Sequence, residues 1–175
     1  MFTARFVMAD SGEGNTARHA TPAPLAELRV REEGFRWERV DLLAYKQDGD
    51  APFAGITRQT LFASPELGCE LRYFEVEPDG HSTLERHLHV HAVMILGGSG
   101  HCLVGRRVHA VRTHDLVHIA PMTWHQFRAT RGEALGFLCM VNASRDKPQL
   151  PSAAELAELA AEPHVAAFLA GAPIV

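Results

Sequence analysis

At 175 residues and 46% hydrophobic content, the chain is long enough to bury one good core and too short for two ordinary domains. Its 17 basic and 21 acidic residues give a formal charge of -4 with no basic block able to track a phosphate backbone, so nucleic acid is not an expected partner. The amino-terminal stretch lacks an apolar core of signal-peptide length and no segment reaches the ~18 apolar residues of a membrane span, which predicts a cytoplasmic protein without a membrane partner.

Residues 1–34 form an expected amino-terminal arm, because small, polar and proline residues alternate there without a sustained period. Phe35 to Val40 alternates apolar and charged residues as a strand does, and opens a domain expected over 35–145. From Ile56 to Val141 short β-type runs follow one another: ITRQTLF, CELRYFEVE, TLERHLHVH, AVMIL, GHCLVG, RRVHAV, LVHIA, HQFRA and ALGFLCMV. Turn residues stand between them at Ser64-Pro65, Pro78-Asp79-Gly80, Gly97-Gly98-Ser99-Gly100 and Thr130-Arg131-Gly132. Evenly spaced short strands of this kind predict an all-β antiparallel sandwich or barrel. The tail, 146–175, changes period: Ser152-Ala153-Ala154-Glu155 is a capping box, ELAELAAE is a helix former, and Gly171 with Pro173 ends the helical extension.

Histidine is the outlier. Nine of the eleven fall between His81 and His125, and the run Glu85-Arg86-His87-Leu88-His89-Val90-His91 spaces three of them at every second position. As a strand, this run sends Glu85, His87, His89 and His91 to one face and Arg86, Leu88 and Val90 to the other. The imidazole face is either a metal site or the solvent face of an edge strand. The cysteines, Cys69, Cys102 and Cys139, lack CxxC spacing and read as buried free thiols of a reducing compartment, Cys139 as packing within GFLCMV.

The segment from Pro78 to Ala129 resembles the cupin family, small single-domain proteins whose two sequence motifs meet in a β-barrel. Gly80 opens the first motif, VMILGGSG closes it, and the second runs from His114 to Arg128, ending in WHQFR. The resemblance spans roughly residues 56–141 and implies an antiparallel double-stranded β-helix, the cupin jelly-roll barrel, with a short C-terminal helical element. It also implies one divalent transition metal ion (iron, nickel, copper, manganese or zinc). Counting back seven from Gly98 places His91 where the family ordinarily has a glutamate, and the second motif supplies His125. The His-x-His positions then fall on Glu85 and His87, or, with the gap shifted by two, on His87 and His89. Glu85 and His89 stand as alternative fourth ligands beside His87, His91 and His125. Alternation from His91 and His125 points Val93 and Phe127 inward as candidate lining of a substrate pocket. His81, His101, His109, His114 and His118 are read as surface or supporting residues.

Neutral imidazoles suit borderline divalent ions, and a three-ligand site leaves positions open for a small-molecule substrate or oxygen. The resemblance implies first a metal-dependent, dioxygenase-like oxidoreductase acting on a small organic molecule. A non-catalytic metal- or ligand-binding cupin (sensor or storage) is the alternative, and a cupin isomerase or decarboxylase a further one. A metal-free epimerase would want a tyrosine partner, for which only Tyr45 and Tyr73 exist. A homodimer is expected, with a second subunit covering the Leu88 and Val90 face.

Overall fold

A computed structural model describes residues 28–46 and 52–172; most of the expected arm, residues 1–27, lies outside them. The elements in chain order are β1 (Arg31–Glu32), β2 (Arg36–Trp37), β3 (Leu43–Ala44), β4 (Ala54–Ser64), β5 (Cys69–His81), β6 (His91–Val104) and β7 (Arg107–Arg112). Then follow β8 (Leu116–Ile119), β9 (His125–Ala129), β10 (Leu135–Asn142), α1 (Ala153–Ala160) and α2 (Pro163–Leu169). β1 and β2 pair as a small hairpin, and the other strands form one antiparallel sheet in the order β10-β6-β9-β5-β4-β3. Because β10 also pairs with β5, the sheet closes on itself as a barrel.

Closure depends on β6, which serves four neighbours. Its first half pairs with β8 and β10, and its second half with β7 and β9. The expected turn at Gly97-Gly98-Ser99-Gly100 is therefore no turn: the strand runs straight through it. Glycine is needed there because Gly98 has φ +73, and a Cβ on it would sit 1.7 Å from the Ala134 carbonyl oxygen. The four residues bend a single strand from one wall of the barrel to the other. Replacing Gly98 by alanine is expected to cost roughly 3–5 kcal/mol of stability in urea unfolding, through left-handed strain plus a backbone clash.

Phe35–Val40 is likewise not one strand. Phe35 and Arg39 adopt positive φ on either side of β2, so only Arg36 and Trp37 remain extended. Phe35 and Trp37 instead pack on the buried Tyr73, at ring distances of 5.5 and 4.9 Å.

The inner faces of the strands supply the core: Ile56, Phe74, Val76, Ile95, Phe127, Leu135 and Phe137 are buried together. A second cluster lies outside the barrel wall, where Leu159, Val165 and Phe168 of the helices cover Leu84 and Leu103. The capping box forms as expected, with Ser152 Oγ accepting from the Glu155 amide and the Glu155 carboxylate accepting from the Ser152 amide. No helix among the described residues is long and apolar enough to cross a membrane.

Candidate metal centre

Gly80 and the end of β5 lead into residues 82–90, which carry no strand; β6 starts only at His91. The period-two reading of ERHLHVH is thus corrected. Asp146, beyond the end of β10, accepts hydrogen bonds from the Leu88 amide (2.8 Å) and the His89 amide (3.3 Å), so these backbone donors serve a carboxylate in place of a neighbouring strand. Isolated bridges hold the loop elsewhere, Glu85 to His125 and Arg86 to Gln149. Arg86 also pairs with Glu155 of α1 at 2.8 Å and lies 4.3 Å over the Trp124 ring. The histidine loop is clamped from outside by the segment that follows the barrel.

The bend brings His87 and His91 together with His125, the first residue of β9. Their candidate ligand atoms all lie within 4.8 Å of one another. His87 and His125 are buried, and His91 is half-buried. The hydrogen bonds orient the rings for metal. His87 Nδ1 lies 2.8 Å from the His89 carbonyl oxygen and His125 Nδ1 lies 3.0 Å from that of Thr123. Those acceptors require a proton on Nδ1 and leave the Nε2 lone pair free. The Nε2 atoms of His87 and His91 are buried without a hydrogen-bond partner among the described residues. Such orphaned acceptors cost stability unless something binds them, and a divalent ion is what three convergent neutral imidazoles suit.

Electrostatics favours the neutral form. Burial, with the neighbouring His125, lowers His87 to about 4 and His91 to about 2; burial likewise lowers His125 to about 4. At neutral pH all three carry lone pairs, the state that metal ligation needs.

The two candidates for a fourth ligand are both occupied. The buried Glu85 carboxylate forms an ion pair with Lys46. His89 stacks on His87 at 3.6 Å, but its Nδ1 lies 2.7 Å from the Asp146 carboxylate, which the Leu88 amide, foremost, and this contact hold down at about 2. His87, His89 and Asp146 form a second convergent group that shares His87 with the first. Leu88 and Val90 stand exposed at 63% and 42%. Val93 and Phe127 point inward as expected and belong to the packed core, Phe127 stacked on Phe137 at 4.6 Å.

Sequence reasoning missed several neighbours of the imidazoles. Cys139, on the inner face of β10, places Sγ 3.3 Å from His91 Nδ1, and burial pushes its thiol up to about 12. Tyr45 lies within reach of the Glu85 charge; burial, foremost, and that charge raise its hydroxyl well above the ordinary range. Arg58, Arg72 and Arg145 gather around Glu70 at the same end of the barrel.

A closed antiparallel barrel holding convergent histidines from a loop after one strand and from the start of another defines a cupin. The sequence profile of the cupin domain matches residues 72–141, and the chain belongs to that family. It is 65% identical over 144 residues, 82% of this chain and 92% of the other, to 1-methylthio-D-xylulose 5-phosphate methylsulfurylase of Rhodospirillum rubrum. Two solved structures are also similar. A cupin-2 domain protein from Rhodospirillum rubrum shares 62% identity, covering 81% of this chain and 95% of that one with a TM-score of 0.75. A cupin 2 conserved barrel protein from Rhodopseudomonas palustris shares 58%, covering 81% and 97%, with a TM-score of 0.76.

Proposed function

We propose that this chain is a metal-dependent cupin enzyme that removes the methylsulfur group from 1-methylthio-D-xylulose 5-phosphate or a close analogue. The observation that carries the reading is the 65% identity, over 82% of the chain, to the Rhodospirillum rubrum protein of that name. The convergent imidazoles with orphaned Nε2 atoms support it.

In such a substrate the carbon bearing the methylthio group, C1, is bonded to the C2 ketone. Transfer of the CH3S unit to a thiol forms a sulfur–sulfur bond, breaks the C1–S bond and leaves the electron pair on C1, delocalised toward the C2 carbonyl. The proton released by the thiol ends on C1, which becomes a methyl group. The thiol is oxidised to a mixed disulfide, C1 is reduced, and no oxygen enters the balance.

A divalent ion held by His87, His91 and His125 would supply Lewis acidity toward the ketone oxygen. The chain's own groups do the rest. The Nδ1 hydrogen bonds to the His89 and Thr123 carbonyls hold two of the rings in the required tautomer, and Cys139 Sγ faces Nδ1 of the third. Because burial keeps the Cys139 thiol protonated, an external low-molecular-weight thiol takes the acceptor role and Cys139 supports His91.

The dioxygenase reading uses the same imidazoles but requires oxygen. Protein loaded separately with manganese, iron, nickel, copper or zinc is therefore assayed under argon with the methylthio sugar phosphate and a thiol. Proton NMR is expected to show the methylthio signal replaced by a C1 methyl, with a mixed disulfide formed and no methylsulfur left on the protein. Turnover only with oxygen would return the oxygenase reading. No turnover with any metal would leave a ligand-binding cupin.

A further inference from the structure

We propose that Arg58, Arg72 and Arg145 form a cradle for a phosphate monoester at the imidazole end of the barrel interior. The inference deepens the functional reading above and rests on it for the identity of the sugar that carries the phosphate.

Strand register puts the first two guanidinium groups inside. Directly opposed residues of neighbouring strands share a face. Arg72 is opposite Cys139, and Arg58 is opposite Phe74, both inner-face residues of the barrel. Glu70, two residues before Arg72, is opposite the buried Val141 and so shares that face. Arg145 arrives from the segment after β10 and reaches Glu70 at 3.2 Å.

Charge is badly matched there. Arg72 Nε donates to Glu70 at 2.7 Å and Arg72 Nη2 closes a second contact with the same carboxylate, which Arg145 also approaches. Arg58 Nε is buried without a hydrogen-bond partner among the described residues. Three guanidinium groups therefore face one carboxylate, an excess of two positive charges in a chain whose formal charge is -4. Side chains of Arg72 and Arg145 are only 14% and 18% exposed, so water does not screen this excess as it would on a surface. Burial, together with the Arg72 charge, weakens the hold of Arg58 on its proton, and the same Arg72 charge is felt at His91 and Cys139.

Structural ion pairing does not explain the third guanidinium group. A phosphate monoester carries about two negative charges at neutral pH, and planar guanidinium forks match its oxygens in pairs. Placed beside the imidazoles, such a cradle would hold one end of a short phosphorylated ketose while its carbonyl end faces the metal site. The orientation of the substrate follows from the two chemistries at one barrel mouth.

The test uses the full-length metal-loaded protein, with xylulose 5-phosphate and xylulose as calorimetric probes. Wild type is expected to prefer the phosphorylated sugar by roughly 100-fold, as two or more charge-assisted contacts imply. Arg58→Gln and Arg72→Gln should erase at least tenfold of that preference while metal content and unfolding midpoint hold. In turnover of the methylthio sugar phosphate, both should raise KM and leave kcat within a few-fold. If Arg72→Gln fails to fold after losing Glu70, Arg58→Gln decides, since Arg58 Nε has no hydrogen-bond partner to lose among the described residues. A wild type without phosphate preference, or an Arg58→Gln protein that keeps it, overturns the cradle. A wild type that cleaves no C–S bond yet shows a preference that Arg58→Gln removes keeps the cradle and refutes the methylsulfur reaction.

Discussion

His125→Ala protein is expected to fold and to lose its metal. The strand carrying His125 is held by backbone bonds to Glu85 at 3.0 and 3.2 Å, and the apolar core is built from other side chains, so truncation removes a ligand without removing a wall. Metal affinity should fall by at least ~100-fold, since even the outer hydrogen-bond partners of a ligand cost 10–100-fold when lost. Turnover should fall with it, and His87→Ala should match. Glu85→Gln and His89→Ala should retain stoichiometric metal, because Glu85 is engaged by Lys46 and His89 by Asp146. Elemental analysis of the four purified variants, with thermal unfolding as the folding control, decides the matter. Loss of metal from Glu85→Gln as complete as from His125→Ala would make Glu85 a ligand after all.

The behaviour of these residues explains what the sequence could disclose. Strands β4, β5 and β7 to β10 were legible as short β-type runs punctuated by turn residues, and β9 with WHQFR carried a cupin motif. The glycine run in β6 was misleading because glycine serves equally for a turn and for a bent strand under close backbone approach; only the Ala134 carbonyl, from a distant segment, distinguishes them. ERHLHVH was misleading for a similar reason. Its spacing suits a strand, but Asp146 captures two of its amides, and no local pattern announces a partner 57 residues away. His87 and His91 still converge, because the loop turns both rings inward while Leu88 and Val90 remain outside. The arginine cluster left a fainter trace. In CELRYFEVE, Glu70 and Arg72 share parity with Phe74 and Val76, so an ion pair falls on the core face of the strand. Charges placed on the core parity are a signal for a polar interior, and here they mark the end of the barrel where the imidazoles lie.

Acid should unfold the metal-free protein early. An unperturbed histidine titrates near 6.5, whereas burial holds His87 and His125 at about 4 and His91 at about 2 in the folded chain. Folded values lie below unfolded ones, so the unfolded state takes up protons first as pH falls. The stability these neutral imidazoles permit is fully present above pH 6.5 and is withdrawn as pH drops toward 4, continuing lower for His91. Each such group costs up to ~1.4 kcal/mol per pH unit in that window, so the three together approach ~4 kcal/mol per unit. Asp146, held at about 2, adds its own loss only once pH falls into the ordinary carboxylate range, below the steep part of the histidine window. Urea midpoints of metal-free protein are therefore expected to be level from pH 8 to 7 and to fall steeply between pH 6 and 4. A His87→Gln, His125→Gln double variant should lose about two-thirds of that slope, its remainder coming from His91. Adding a divalent ion should raise the midpoint strongly at pH 7.5 and lose that effect only as pH falls through about 4, because binding to the folded state stabilises it while the imidazoles remain unprotonated, and His87 and His125 take up protons in the folded chain only there. A midpoint that stays level down to pH 4.5 would mean that the folded site accepts protons as readily as water does, and the site could not then be the dry, neutral cluster its orphaned Nε2 atoms describe.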